Sequence, residues 1–269
     1  MRSVSPMKTT TISNLNAMKA AGDKFAVITA YDYTFSRLIE TAGIEVTLVG
    51  DSLGNVIQGR DSTIPVTIDE MAYHTQIVKR GNSRTLLMTD MPFMTYATEN
   101  QAMDNAAILM QAGAQMVKLE GGEWLAETVY MLTERGIPVC GHVGLTPQSV
   151  HKLGGYKVQG KEEDAAQQMI DEAVILEEAG ADLIVVECVP SSLGRDLSQA
   201  LSIPVIGIGA GPDTDAQVLV LQDMLGISQR LPKFSKNFLE DSGSIQEAII
   251  AYGNAVRSGT FPAPEHSFK

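Results

Sequence analysis

Lys118 and Glu120 lie two residues apart at the end of an apolar run, directly before a pair of glycines. In an extended strand, residues i and i+2 point to the same face, so an ammonium group and a carboxylate are predicted to converge there. Other apolar runs also end at or just before an acid, and these acids are Asp51, Asp90 and Glu187. The pattern predicts one shared polar site at one end of a sheet.

The elements that would position these residues are eight short apolar runs, rich in Val, Ile and Leu and with little strict alternation. Such runs are typical of parallel strands that are covered on both faces. They are Phe25–Tyr31, Val46–Gly50, Thr85–Thr89, Gln115–Leu119, Pro138–Val143, Asp182–Val186, Pro204–Ile208 and Gln217–Leu221.

Helical patterns fill most of the intervals, and most of them stop at a glycine, a typical helix C-terminal residue. The predicted helices are Ile12–Ala21, Thr34–Ala42, Asn100–Ala112, Trp124–Arg135, Ala165–Ala179 and Ser244–Ser258. This order indicates successive βα units. It predicts that residues 1–269 form a single α/β domain, a (β/α)8 TIM barrel with an extra N-terminal helix that covers one end of the barrel.

An open doubly wound sheet is the alternative fold. The barrel is favoured because the chain has eight runs and no Gly-x-Gly-x-x-Gly motif opens the first helix. Active sites of TIM barrels are built from the C-terminal ends of the strands. The acids at the ends of the runs are therefore predicted to share one active site.

Composition narrows the function classes. The chain has 269 residues and a net charge of -12, which disfavours nucleic acid and anionic membrane surfaces as partners. No run approaches the ~18 apolar residues of a membrane span, and the first six residues lack the apolar core of a secretory signal. Two cysteines, Cys140 and Cys188, are interpreted as small buried hydrophobes rather than nucleophiles. A reducing, cytoplasmic location is expected.

Three acids at neighbouring strand ends, Asp51, Asp90 and Glu120, would repel one another unless a cation lay among them. Carboxylate ligands suit a hard divalent ion, Mg²⁺ or Mn²⁺, and the spacing of histidines and cysteines does not indicate zinc. The alternative is that each acid caps a helix or pairs with a base. For the three acids together, metal binding is the favoured interpretation.

Three further residues have two possible roles each. Lys118 either forms a salt bridge with Glu120 or contacts a substrate carboxylate. His142, between two glycines, is either a structural hydrogen-bond partner or a ligand contact. Glu187 would be suited to proton abstraction if an apolar setting raised its pKa; otherwise it is a partner for Arg195 or Lys118.

Two glycine-containing segments follow predicted strands. Gly207–Gly211 comes after the seventh strand, where barrels often bind phosphate through backbone amides; a flexible loop, or room for a bulky ligand, explains it equally. Gly154–Gly160 is either a mobile lid or an ordinary surface loop.

Several motifs, taken in order, resemble the ketopantoate hydroxymethyltransferase family, and the likeness runs from about Lys8 to Phe268. The residues before Met7 have no counterpart there. The motifs include Val49–Gly54, Asp90–Phe93, Val117–Gly122, Gly141–Gln148, Glu187–Pro190, Gly207–Gly211, Asp223–Gly226 and Glu265–Phe268.

The resemblance implies a barrel of the phosphoenolpyruvate/pyruvate-binding type and a Mg²⁺-dependent transferase of pantothenate biosynthesis. A hydroxymethyl group would pass from 5,10-methylenetetrahydrofolate to 3-methyl-2-oxobutanoate, giving 2-dehydropantoate through a Mg²⁺-stabilised enolate. The resemblance also implies a homodecamer of stacked pentamers.

The same resemblance assigns roles residue by residue. Asp51, Asp90 and Glu120 match the metal site, and Glu187 matches the catalytic base. The residues that match the oxo-acid site are Asp51, Ser52, Asp90, Lys118 and His142. Folate would need an open face near Gly207–Gly211. The chain departs from the family pattern at Thr214–Ala216 and within Asn55–Thr63, which leaves the contacts to folate open.

Two other functions are alternatives. A carbon–carbon lyase or phosphoenolpyruvate mutase of the same superfamily would share the metal and oxo-acid chemistry. Such lyases carry a Lys-Cys-Gly-His loop after the metal-site strand. In this chain Glu120 is followed instead by Gly121-Gly122-Glu123-Trp124, which argues against a lyase. The second alternative is a non-catalytic barrel that serves as a metabolite-binding or assembly scaffold. Such a protein should lack one of the acids or Lys118, and all of them are present in this chain.

Overall fold

A computed structural model describes residues 9–269, so the segment before Met7 lies outside the described residues. Eight parallel strands close into a barrel in which each strand pairs with the next along the chain and the last pairs with the first. The predicted TIM barrel is confirmed. The strands are β1 Phe25–Thr29, β2 Val46–Val49, β3 Leu86–Asp90, β4 Met116–Glu120, β5 Val139–Gly144, β6 Leu183–Glu187, β7 Val205–Ile208 and β8 Ala216–Leu219.

Helices connect the strands and surround the barrel. Within residues 9–269 they are α1 Ile12–Ala21, α2 Tyr33–Ala42, α3 Leu53–Val56, α4 Ile68–Gly81, α5 Glu99–Ala112, α6 Ala126–Thr133, α7 Val150–Leu153, α8 Glu163–Glu178, α9 Ser191–Ala200, α10 Leu221–Met224 and α11 Ile245–Arg257. Short 3-10 turns occupy Glu123–Leu125, Pro147–Ser149 and Pro264–His266.

Two of the longer helices, α4 and α9, were not predicted. The sequence does carry a start signal for α4, because Thr67 and Glu70 form a reciprocal capping box. Trp124–Arg135 was predicted as one helix, but its first residues form the 3-10 turn and α6 begins only at Ala126.

Helix α1 covers the N-terminal end of the barrel, as predicted. Thr11 caps its start, and Gly22, in the left-handed conformation at φ 75°, ends it. Leu15 is fully buried and packs with the apolar side chains inside the barrel. These include Phe25, Val27, Val46, Leu48, Leu86, Met88, Met116, Cys140, Leu183 and Val185. Lys19 adds an ion pair, its Nζ lying 2.8 Å from Asp215 Oδ2.

The outward-facing strand residues form a second core with the helices. Ile28, Leu87, Val117, Ile184 and Val205 belong to it. Because both strand faces are buried, apolar residues occupy successive positions, which explains the weak alternation seen in the sequence. The polar residues of the strands therefore lie mainly where the apolar interior ends.

Candidate active site

The inward faces of four strands change from apolar to polar toward their C-terminal ends. Because residues i and i+2 of a strand share one face, the apolar side chains inside the barrel are followed on the same face by a layer of polar side chains. The transitions are Met88 to Asp90, Met116 to Lys118 and Glu120, Cys140 to His142, and Val185 to Glu187. Strand register then aligns Asp90 with Lys118 and Glu120 with His142 on neighbouring strands.

Lys118 lies at the centre of this layer and is buried. Its Nζ is 3.2 Å from Asp90 Oδ1, 3.8 Å from Glu120 Oε1 and 3.1 Å from His142 Nδ1. Burial lowers the pKa of Lys118, but the nearby carboxylates outweigh burial, so its pKa lies above the ordinary value. The amine is therefore held in its charged form.

His142 lies between two acids. Its Nδ1 is 3.3 Å from Glu120 Oε1, and its Nε2 is 3.3 Å from Glu187 Oε2. Burial and Lys118 lower the pKa of His142, but the two carboxylates together raise it by more. The net pKa is therefore above the usual value. The Nε2 contact to Glu187 is not aligned as a hydrogen bond.

This contact corrects both expectations for Glu187. The setting of its carboxylate is not apolar, because an imidazole faces it. Its partner is His142 rather than Arg195 or Lys118, and Arg195 instead pairs with Asp196 at 3.0 Å. The sequence could not show this, because β5 and β6 are separated by helices α7 and α8 and their register is set only by the closed barrel.

Asp51 and Asp90 interact directly. The Asp51 backbone N–H donates to Asp90 Oδ2 at 3.0 Å. Burial raises the pKa of Asp51, and repulsion from Asp90 and Glu120 raises it further. Burial also raises the pKa of Asp90, and the nearby Lys118 only partly offsets this. Within residues 9–269, neither side chain caps a helix, so the capping alternative is wrong for both.

Glu120 differs from these two aspartates. Burial raises the pKa of Glu120, but His142, Lys118 and the Gln148 backbone N–H together lower it by more. The net pKa therefore lies below the usual value. The Gln148 N–H reaches Glu120 Oε2 at 2.9 Å. Glu120 therefore carries a full negative charge at neutral pH.

Ser52 follows Asp51 and is the residue directly before the short helix α3. Its Oγ lies 2.8 Å from the Tyr31 hydroxyl, and Tyr31 is buried. Gly50 makes room for this hydroxyl, because a Cβ atom at position 50 would lie 2.8 Å from Ser52 Oγ. Ser52 is thus held at the mouth of the barrel beside the acids.

Two site residues were not predicted. Gln148 contacts both Asp51 and Glu120, and Tyr96 contacts both Gln148 and the Glu120 backbone. Gln148 lies in the motif Gly141–Gln148, and that membership is the one sequence signal that pointed to it. Tyr96 carries no such signal, because its loop is far from Gln148 in the chain.

The residues are chemically suited to a divalent cation, although within residues 9–269 the acids are not preassembled as a three-carboxylate cage. Asp90 faces Lys118, Glu120 faces His142, and Asp51 faces Gln148. Asp90 Oδ1 is buried without an aligned hydrogen-bond donor. Oxygen ligands and an excess of buried negative charge fit a hard cation such as Mg²⁺.

The Gly207–Gly211 segment is not open, contrary to expectation. All five of its residues are buried. A Cβ at Gly209 would lie 3.0 Å from the rings of Phe234 and Phe268, and one at Gly211 would lie 2.5 Å from Ser191 Cβ. Gly209 thus packs against Phe234 and the tail residue Phe268, and Gly211 packs against Ser191, so these glycines do not form an exposed ligand face.

Other predictions concern the surroundings of the site. Both cysteines are free and buried, and burial raises the pKa of Cys140 to about 12, which fits the interpretation as small hydrophobes. The Gly154–Gly160 segment is irregular, and its Gln159 N–H donates to the Cys188 carbonyl; its role as a lid stays a prediction. In the described part of the chain, no helix is long and apolar enough to cross a membrane.

Most of the chain matches one known protein family. The sequence model of ketopantoate hydroxymethyltransferase matches residues 9–264. The chain belongs to the ketopantoate hydroxymethyltransferase family. Two relatives are named 3-methyl-2-oxobutanoate hydroxymethyltransferase. The protein from Idiomarina loihiensis is 59% identical over 97% of this chain and 98% of its own length. The one from Cronobacter sakazakii is 58% identical over 97% of this chain and 100% of its own length.

Solved structures support the barrel type of this ketopantoate hydroxymethyltransferase family member. Phosphonopyruvate hydrolase, crystallised with oxalate and Mg²⁺, aligns with a TM-score of 0.61 at 14% identity, covering 79% of this chain and 81% of that chain. A 2,3-dimethylmalate lyase of the phosphoenolpyruvate mutase/isocitrate lyase superfamily aligns with a TM-score of 0.58 at 15% identity, covering 78% of this chain and 81% of that chain. At such low identity the likeness shows the fold alone.

Proposed function

We propose that this protein transfers a hydroxymethyl group from 5,10-methylenetetrahydrofolate to 3-methyl-2-oxobutanoate, giving 2-dehydropantoate in pantothenate biosynthesis. The observation that carries the proposal is the buried polar layer at the barrel mouth. There Asp90, Lys118, Glu120, His142 and Glu187 form a continuous chain of contacts of 3.1 to 3.8 Å. Family membership over nearly the whole chain supports the same reaction.

Asp51, Asp90 and Glu120 would hold Mg²⁺, with the oxo acid bound beside it. When bound, the ion would supply a Lewis acid for the oxo group of the substrate. Lys118 and Ser52 are placed at the same mouth and carry N–H and O–H donors for the substrate carboxylate. Because Lys118 is buried, its charge is poorly screened by water and acts strongly on an anionic substrate.

Glu187 is the proposed base. The C3–H bond of the oxo acid breaks, its proton passes to a Glu187 carboxylate oxygen, and its electron pair forms the new bond to the one-carbon unit. The two C–N bonds of the folate methylene group break, and water supplies the hydroxyl group. The donor leaves as tetrahydrofolate, its two nitrogens taking up the remaining proton of the water and the proton held by Glu187. His142, 3.3 Å from Glu187 Oε2, orients the carboxylate without a firm hydrogen bond that would compete for the same lone pair.

Turnover of the purified protein tests this function. With both substrates and Mg²⁺, 2-dehydropantoate is expected by mass spectrometry, and omission of the folate donor or addition of a chelator should abolish it. Lys118→Met should lose turnover. Lys24→Met, at the opposite end of the barrel where Lys24 binds the Thr214 carbonyl, is the matched control and should retain it. A well-folded protein that makes no product with all components present would contradict the proposal.

The homodecameric assembly stays a prediction that rests on the family resemblance, and the cytoplasmic location stays a prediction that rests on the composition of the chain. Size-exclusion chromatography with light scattering tests the first, and fractionation of the source cells tests the second.

A further inference from the structure

Gln148 is buried at the mouth of the barrel, in the 3-10 turn that follows β5. Its backbone N–H donates to Glu120 Oε2 at 2.9 Å, and its side-chain Nε2 donates to Asp51 Oδ2 at 2.9 Å. One neutral residue therefore joins two carboxylates that belong to the ends of two different strands.

The orientation of the Gln148 amide is fixed by its neighbours. Both Nε2 hydrogens have acceptors, because Nε2 also donates to the Met91 carbonyl at 2.9 Å. The amide oxygen accepts a hydrogen bond from the Tyr96 hydroxyl. A reversed amide would turn its oxygen toward the Asp51 carboxylate and the Met91 carbonyl, where three acceptors would meet without a hydrogen.

Tyr96 is itself held in place. The Glu120 backbone N–H donates to its hydroxyl oxygen at 3.3 Å, and its ring stacks on Trp124 with centroids 6.1 Å apart and planes 12° apart. The hydroxyl has a single hydrogen, and its shortest contact is to the Gln148 amide oxygen. Tyr96 thus connects the Glu120 backbone with the amide that binds Asp51.

The three acids share one feature. Each has one oxygen held by a neutral N–H donor: Gln148 Nε2 for Asp51, the Asp51 backbone for Asp90, and the Gln148 backbone for Glu120. A neutral donor fixes a carboxylate without cancelling its charge, whereas a lysine or arginine would compete with a cation. The second oxygens of Asp90 and Glu120 face Lys118 Nζ, at 3.2 and 3.8 Å.

We propose that Gln148 is a positioning residue that holds Asp51 and Glu120 ready for a divalent cation, with Tyr96 fixing its amide. The proposal rests on the proposed function, in which these acids bind Mg²⁺. The proposal also has a consequence that can be measured without substrate: the affinity of the substrate-free protein for Mg²⁺ should depend on the Gln148 side-chain amide. Partners of this kind usually contribute about 10–100-fold to metal affinity.

Titration calorimetry of Mg²⁺ alone into the folded protein tests the proposal. Gln148→Met keeps the length of the side chain and removes both Nε2 hydrogens, while the backbone N–H to Glu120 remains. It should weaken Mg²⁺ binding by about 10–100-fold. Tyr96→Phe removes only the hydroxyl and should cause a smaller loss. Because the two residues act in one network, the double variant should bind Mg²⁺ about as weakly as Gln148→Met alone.

Gln217→Met is the matched control. Gln217 is equally buried, and its amide binds the Gly211 carbonyl and Thr214 Oγ1 rather than the acids. It should lower the melting temperature without changing Mg²⁺ affinity. An equal loss of Mg²⁺ affinity in Gln217→Met would mean that any damaged buried amide has this effect, and it would overturn the proposal.

The outcomes separate this proposal from the proposed function. If the wild-type protein binds Mg²⁺ and turns over, and Gln148→Met binds Mg²⁺ equally well, the positioning role is wrong and the function stands. If the substrate-free wild-type protein binds no Mg²⁺, the positioning role is wrong, and turnover with both substrates decides the function separately. Should Gln148→Met not fold, Tyr96→Phe decides, since unchanged Mg²⁺ affinity in that conservative variant overturns the proposal.

Discussion

The two ends of the barrel are built on the same strands but hold opposite kinds of side chain. At the N-terminal end, Leu15 of α1 and apolar residues such as Phe25 and Val46 form a closed core. At the C-terminal end, the next inward positions hold buried charges such as Asp90 and Lys118. Apolar burial stabilises the fold, whereas buried charges carry a desolvation penalty. The difference suggests that one end provides stability and the other provides chemistry at a cost in stability.

The largest expected effect is at the C-terminal end. Glu187→Gln should slow C3 hydrogen exchange of 3-methyl-2-oxobutanoate by about 10²–10⁴-fold, the usual contribution of a general base, while leaving the oxo acid bound. Proton NMR in D₂O with Mg²⁺ follows the exchange. Glu178→Gln, on the exposed face of α8, should exchange at the wild-type rate. Normal exchange in Glu187→Gln would show that another group removes the proton.

At the N-terminal end the expected effect is on stability. Leu15→Ala should lower the free energy of unfolding by about 2–5 kcal/mol, because it leaves a cavity in a fully buried cluster. Chemical denaturation measures the loss. Asn16→Ala, one residue along and exposed, is the control. The contrast between the two ends fails if Leu15→Ala weakens Mg²⁺ or oxo-acid binding in the folded protein.

Asp51→Asn should change stability and binding in opposite directions. The metal-free protein should melt at a higher temperature, because a buried carboxyl repelled by Asp90 and Glu120 is gone. Mg²⁺ affinity should fall by at least about tenfold, because even the loss of a residue that only hydrogen-bonds a metal ligand usually costs about that much. Asp182→Asn, which lies before β6 at the other end of the barrel and binds the Val139 N–H, should leave Mg²⁺ affinity unchanged.

The smallest effect is a pH dependence. The folded-state pKa values of Asp51 and Asp90 are raised, so the stability they contribute is complete below the usual carboxyl range, about pH 4, and is lost as pH rises through their raised values. Protons and Mg²⁺ compete for the same oxygens. The increase in melting temperature on adding Mg²⁺ should therefore grow with pH, and Asp51→Asn should weaken this trend. An Mg²⁺ effect that is constant with pH would contradict the linkage.

Local patterns were sufficient for the strands and for most of the polar layer. The two-residue spacing of Lys118 and Glu120 predicted a shared face, and their side chains lie 3.8 Å apart. The apolar runs predicted eight strands because burial on both faces leaves a clear compositional signal. Helix α4 shows where the prediction was incomplete, since it carries both a capping pair, Thr67 and Glu70, and a buried stripe that includes Met71, Ala72 and Val78.

Contacts between distant loops could not be predicted. Gln148 binds Asp51 from 97 residues away, and no periodicity relates such positions. The tail residue Phe268 covers Gly209, although the family resemblance implied an open face for folate near these glycines. Glycine permits close approach of any neighbour, so the sequence could not say whether a ligand or a side chain would fill the space.

By itself, the sequence determined the barrel, the polar layer at the strand ends and the family, because these depend on residue type and short spacing. The tertiary structure alone decided that His142 lies between Glu120 and Glu187, that Gln148 joins two acids, and that the Gly207–Gly211 segment is covered. These contacts depend on strand register around a closed barrel and on how the loops pack above it, which are set by the chain as a whole.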